Sequence, residues 1–467
     1  MRKLIFSSVV ALLTSGAAFA DSTSLKEALV AAYENSPALG EARTNIKNLD
    51  EAILQEKSAF LPQVGGSLTY NATENNPGSL LNASGQSGAS TAAISISQLL
   101  FDGGQTRGRI DVAKLNALAG RMTLLDAEQG ILLSAISAFI DVRAAQSTLN
   151  LNDNNVRVLR QQVQAANDRF EVGEVTRTDV SLAEARLASA ISGRESARAN
   201  VLTQSAIYQS IIGVAPHRLG NPGNHPNLPN SLENAEQASL VENPTVAAAR
   251  FTYEAAKLSL LVAKRNIMPS VTASISSSKT DTVTGGFSGN GSDSDSTSAS
   301  ITATVPIYQG GRLKSQQRVA GNNLDIARFQ LTQAENTTRA DLRSAYFNWQ
   351  AAKAEKRARQ EQIRASQIAY EGTVEEANLG ARTTLDVLDA EQDLLQARTD
   401  FVNASRNEQV AAYQVLATMG RLTPAVLGLN VDEIAPPAIE NPLETDSALG
   451  KRRQKLLSKI EQRYGKK

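Results

Sequence analysis

The chain contains no cysteine, and only two of its 467 residues are histidine, His217 and His225. A thiol nucleophile, a disulfide framework and a cysteine-based zinc site are therefore excluded. Any histidine chemistry would have to use that one pair, and both sit in a Pro/Asn-rich stretch that reads as solvated linker. Charge of one sign is lacking too: 47 basic and 47 acidic residues cancel. Non-specific nucleic-acid binding needs a cationic excess, so nucleic acid is not an expected partner. Aromatics make up 4% of the chain, few for one thick globular core and better suited to long helices packed in thin layers. No phosphate-cradling G-x-x-x-x-G-K-[ST] loop occurs, and no nucleophile, base and orienting group assemble by spacing. Neither an enzyme nor a cofactor is expected.

Long apolar runs are scarce as well. Arg2 and Lys3 precede the short run from Leu4 to Leu13, and Ala18-Phe19-Ala20 supplies small residues for cleavage. Residues 1–20 read as a secretory signal peptide, too short in its apolar part to span a bilayer. Asp21, where a lipid-anchored protein would carry cysteine, leaves the exported chain unacylated. No later stretch has the eighteen or so consecutive apolar residues of a transmembrane helix.

What the sequence does contain is a tandem duplication. Gly380-Ala-Arg-Thr-Thr-Leu-Asp-Val-Leu-Asp389 repeats the frame of Gly173-Glu-Val-Thr-Arg-Thr-Asp-Val180, 207 residues earlier. The same offset pairs Pro37 with Pro244, Pro62 with Pro269, Gly103 and Gly104 with Gly310 and Gly311, Glu184 with Glu391, and Gly213 with Gly420. One register held over that span marks duplication of a whole structural unit. Residues 21–213 form the first repeat, 214–230 a Pro/Asn/Gly-rich linker and 231–420 the second repeat. Residues 421–467 are an irregular Pro-containing tract and a basic tail that reads as a solvated end.

Within each repeat the hydrophobic period changes. Leu25, Ala28, Leu29 and Ala32 share a helical face, and Ser36-Pro37 starts a new helix that should run to about Phe60. Residues 64–72 and 92–101 then alternate as two strands joined by a polar loop over 74–90. Residues 271–308 repeat the scheme, with the loop over about 280–298. Such alternation faces either a soluble core or lipid, and strands of about ten residues suit lipid. Four strands cannot close a barrel, for which about eight is the practical minimum, so several copies must contribute. After each Gly-Gly comes a helix of roughly 100 Å at ~1.5 Å per residue, over about 105–170 and 312–379. Val156, Leu159, Val163, Ala166 and Phe170 keep coiled-coil spacing. Return helices run over about 178–212 and 385–419.

Leu61-Pro62-Gln63, Leu100-Phe101-Asp102-Gly103-Gly104, Pro306-Ile307-Tyr308-Gln309-Gly310-Gly311 and the stretch Gly380 to Ala390 resemble the TolC family of outer-membrane channel proteins. The likeness runs through the mature chain to about Gly420. It implies an α+β membrane protein: a homotrimer whose subunits each give four strands to one twelve-stranded outer-membrane barrel, continuous with a long α-helical periplasmic barrel. It also implies an exit duct of tripartite efflux pumps or type I secretion systems. The partners would be a periplasmic adaptor protein, an inner-membrane ABC or proton-driven transporter, and outer-membrane lipid. Asp386 and Asp389, one helical turn apart, match the family's selectivity rings, where crowded carboxylates attract cations and raise one another's pKa. Arg382 matches its gate-locking arginine, and Thr178 and Asp179 the partners of that arginine. The best-known member has tyrosine where this chain has Ala377, which implies a gate held by fewer links.

Alternatives stand beside this reading. Asp179 and Asp386 each lie in a first helical turn, where an acid can simply cap free N–H groups. The first-repeat counterparts of Arg382 and Asp389 are Val175 and Leu182, so those charges are peculiar to the second repeat. A structural coiled-coil protein of the cell envelope would explain the helices but not the strands. A general diffusion porin would explain strands but not 100 Å helices.

Overall fold

A computed structural model describes residues 23–75, 85–223, 225–229, 231–284 and 291–431. The leader, the basic tail and the tips of both strand loops lie outside the described residues. The chain starts with α1 (Leu25–Asn35) and α2 (Pro37–Ser58). Ser24 caps α1 in a reciprocal box with Glu27, and Ser36 accepts a hydrogen bond from the Leu39 amide at the start of α2. Each such cap is worth about 1 kcal/mol. Strands β1 (Gln63–Asn75) and β2 (Gly85–Phe101) follow, then α3 (Gln105–Glu171) and α4 (Arg177–Ile212). The second repeat answers with α5 (Leu232–Glu242), α6 (Pro244–Arg265), β3 (Ser270–Thr284), β4 (Gly291–Thr304), α7 (Arg312–Asn378) and α8 (Thr384–Thr418). Helices α3 and α7 are both 67 residues long, so the duplication is preserved to the residue in the longest elements.

The four strands form one antiparallel sheet in the order β1-β2-β3-β4. Val64 lies opposite Ile96 and Ile96 opposite Ile275, while Ala273 faces Ile301, so these side chains share a face. Leu68, opposite Ala92, belongs to the same face and is 89% exposed. Serines and threonines occupy the other face, with Ser274–Ser300 and Ser276–Ser298 hydroxyls 2.9 and 2.8 Å apart. An exposed apolar face backed by a small polar one is the pattern of a lipid-facing barrel wall. Among the described residues, strands β1 and β4 each have a partner on one side only.

The strands are longer than the alternation indicates. β2 begins at Gly85 and β4 at Gly291, inside stretches that read as loop. Even β1, with 13 residues at ~3.3 Å each, is about 43 Å long. Tilted by about 40°, it exceeds the apolar band of about 25 Å. The ends stand outside lipid, where Ser, Thr, Gly and Asp keep the backbone ladder without an apolar face.

Two related cores sit midway along the long helices. In the first, Leu29, Ala135, Phe139, Tyr208 and Ile212 are buried. In the second, Leu342, Tyr346, Val415 and Met419 take the equivalent places of Ala135, Phe139, Tyr208 and Ile212. Ala235 repeats Ala28. Gly420 ends α8 at φ +79°, and a Cβ there would lie 2.6 Å from the Glu242 carbonyl, so the close approach of the second repeat's helices requires glycine.

Three features of the connecting segments go beyond what composition indicates. The segment after Thr423 contains a short helix, α9 (Pro424–Leu427), and Leu422, Leu427 and Leu429 pack against the first core. The linker is pinned: Thr23 bridges Leu219, and Arg143 donates to the Leu219 carbonyl at 3.2 Å. His225 is partly buried rather than fully solvated. Its ring stands edge-on to Trp349, with Nε2 3.4 Å from the Glu408 carboxylate. An imidazole can fill an apolar edge while its nitrogens reach polar partners, a placement that linker composition does not reveal.

Candidate functional site

The turns α3–α4 and α7–α8 lie at the end of the helical hairpins opposite the sheet. Each is built alike. Gly173 (φ 80°) and Gly380 (φ 76°) supply the left-handed residue that lets the long helix stop. Thr176 and Thr383 then cap the return helices. Asp179 completes the first cap, its Oδ2 accepting from the Thr176 amide at 2.8 Å and hydroxyl at 2.7 Å. Asp386 does the same with Thr383 at 2.9 and 2.8 Å. The helix-capping role of these two acids is therefore real. It also fixes their ionisation. Hydrogen bonds from the Thr383 amide and hydroxyl hold the Asp386 carboxyl below its ordinary range, and those from Thr176 do so for Asp179. Within one chain this runs opposite to the rise expected of crowded carboxylates, because the caps favour the charged form.

Asp389 lies one turn further on the exposed side of α8, and its Oδ1 accepts from Arg186 Nη2 of α4 at 2.6 Å. Between the two acids, Val387 and Leu388 turn inward; Leu388 is buried among Val156, Leu159, Val180 and Ala183 of α3 and α4. Arg382 pairs within its own turn, Nε donating to Glu376 Oε2 at 2.9 Å. Thr178, in the first turn of α4, is exposed. Asp386 and Asp389 are thus brought together on one helix, while Arg382 is engaged by Glu376 in the single chain rather than by Thr178 or Asp179. Glu376 was not a candidate from sequence, since acids are common on long solvated helices.

Glu391, which the repeat pairs with Glu184, carries no site assignment from the sequence. It is 6% exposed, and its Oε2 has no hydrogen-bond partner among the described residues. Burial pushes its carboxyl up from 4.5 to about 7. Between those values the folded chain holds a proton that the unfolded chain has lost. The contribution to stability is therefore full below about pH 4.5 and falls as pH rises to about 7, by roughly 3 kcal/mol. Glu391→Gln is expected to remove that loss. Guanidinium unfolding should show the variant matching wild type near pH 4.5 and more stable by up to about 3 kcal/mol at pH 8.

A lipid-facing sheet of four strands, continuous with two helical hairpins of about 100 Å that end in capped turns, is one subunit's share of an outer-membrane channel with a helical tunnel. A family model described as outer membrane efflux protein matches residues 28–214 and 236–421, one match per repeat. The chain belongs to that family. It is 33% identical over 431 residues to the outer membrane efflux protein BepC of Brucella suis biovar 1 (strain 1330), covering 91% of this chain and 92% of that one. It is 25% identical over 442 residues to the outer membrane protein TolC of Escherichia coli (strain K12), covering 90% and 88%. The crystal structure of the outer membrane protein VceC from Vibrio cholerae shares the fold, with TM-score 0.69, 20% identity, and coverage of 85% and 96%. The protein is an outer-membrane exit duct, with its strands in the outer membrane and its helices extending into the periplasm.

Proposed function

We propose that three copies of this chain assemble into one duct, with twelve strands closing the barrel and the long helices enclosing a periplasmic tunnel. The observation that carries this is the pair of open sheet edges. Among the described residues β1 and β4 each lack a second neighbour, while one face of the sheet is apolar and exposed. Unpaired backbone N–H and C=O groups cannot face hydrocarbon, where each costs several kcal/mol, so β4 of one subunit pairs with β1 of the next. Substrates enter from an inner-membrane transporter, ABC or proton-driven, through a periplasmic adaptor protein, and the duct conducts them passively. Asp386 and Asp389 form two carboxylate levels at the tunnel end and select for cations. Arg382 changes partner on assembly, from Glu376 to Thr178 and Asp179 of a neighbouring turn, and so locks the gate. The mass of the detergent-solubilised protein tests the assembly. Three chains per particle are expected, and a monomer or dimer would contradict the twelve-stranded barrel.

A further inference from the structure

The two turns are not independent, and the contacts that join them are absent from the repeat's symmetry. Arg186 of α4 meets Asp389 of α8 at 2.6 Å. Arg169, near the end of α3, donates from Nη2 to Asn378 Oδ1 at the end of α7, at 3.1 Å. Between them Leu388 of α8 inserts into the apolar seam of α3 and α4. Under the 207-residue offset, Leu388 corresponds to Ser181, Asp389 to Leu182, Asn378 to Glu171, Arg169 to Glu376 and Arg186 to Asp393. None of these pairs repeats in chemistry. At the turn end the second hairpin is docked on the first by one knob and two polar links, and no reciprocal set exists there among the described residues. Ala377 and Asn378 are adjacent, so the Arg169 link joins the hairpins at the very level where the resemblance implied a missing one.

We propose that Arg186 is a positioning and selectivity-determining residue of the duct: it clasps α8 to α4 within each subunit and sets the charge that Asp389 presents to passing ions. This rests on the reading of Asp386 and Asp389 as the cation-selective levels. Both members of the pair are more than a third exposed, so the pair is worth little to global stability. Its weight is local. A guanidinium beside Asp389 cancels much of that carboxylate's field and fixes its side chain against α4, leaving Asp386 as the level that acts at full charge. Splaying the α7–α8 turn away from α3–α4 must break the clasp in all three subunits.

Single-channel recording on purified wild type, Arg186→Ala, Asp389→Asn and the exchanged pair Arg186→Asp/Asp389→Arg decides the matter, using a trivalent cation as the probe from the periplasmic side. Arg186→Ala is expected to bind the blocking ion at least about tenfold more tightly, because a unit charge within ~6 Å of a trivalent ion is a large effect even in water. It should also raise the unit conductance, and the exchanged pair should return the conductance to the wild-type value by restoring the clasp. A residue that only supported folding would leave ion affinity unmoved. If Asp389→Asn weakens the block while Arg186→Ala changes neither block nor conductance, the clasp is overturned and the acidic gate stands. Should block persist unchanged in both, the clasp and the acidic reading of Asp389 fail together.

Discussion

Phe139→Ala is expected to destabilise the protein by about 3–5 kcal/mol, the range for truncating a fully buried aromatic side chain. Phe139 is 0% exposed and packs in the core that gathers α1, the middle of α3 and the ends of α4 and α8. The size of the loss follows from geometry. The long helices are layers one side chain thick over most of their length, and small alanines fill much of the seam. Collapse around the lost ring is therefore limited, because Leu29, Ile136, Tyr208 and Tyr413 belong to helices whose spacing is set along their whole length. Phe139→Leu keeps most of the volume and should cost less, about 1 kcal/mol. Guanidinium unfolding followed by circular dichroism checks both, with the ordering Ala far below Leu as the result that matters. Equal effects of the two substitutions would show that the site repacks and is not a fixed core.

The second large effect concerns ions. Asp386→Asn together with Asp389→Asn removes two carboxylates per subunit, and block by a trivalent cation is expected to weaken by at least about a hundredfold. A unit negative charge ~4 Å from a trivalent ion is worth about 3 kcal/mol even at the dielectric constant of water. The single substitutions separate two roles. Asp386 accepts its hydrogen bonds from Thr383 at the helix start, so Asp386→Asn keeps an oxygen for the cap and removes the charge seen by the ion and by Arg382. Asp389→Asn also releases Arg186, so it changes conductance as well as affinity. Dose–response of block in planar bilayers gives both numbers. Unchanged affinity in the double variant would remove the acidic gate from the account.

The architecture was legible because duplication writes each element twice. Pro37 and Pro244 both start helices, Gly173 and Gly380 both end them, and α3 and α7 have the same length. The lipid-facing strands were legible where Ile94 and Ile96 alternate with serine. They were not legible beyond the bilayer, where polar residues continue the ladder with no apolar face to mark it. The acids at the turns are named by the family resemblance, but their partners are not legible in the sequence. Arg186 and Asp389 are 203 residues apart and come together where α8 packs on α3 and α4, with Leu388 in their seam. His225 shows the same limit, since its contacts with Trp349 and Glu408 cross from the linker to α7 and α8. Local pattern reports which face of an element is apolar; it does not report which distant charge will lie opposite.

Single-channel conductance of the purified wild-type protein in a planar bilayer, with and without a trivalent cation on the periplasmic side, tests the central claim most directly. A closed-ended trimeric tunnel throttled by Asp386 and Asp389 gives small, cation-selective steps that the ion blocks from that side alone. Large steps indifferent to the ion, or no steps from well-folded protein, would contradict it.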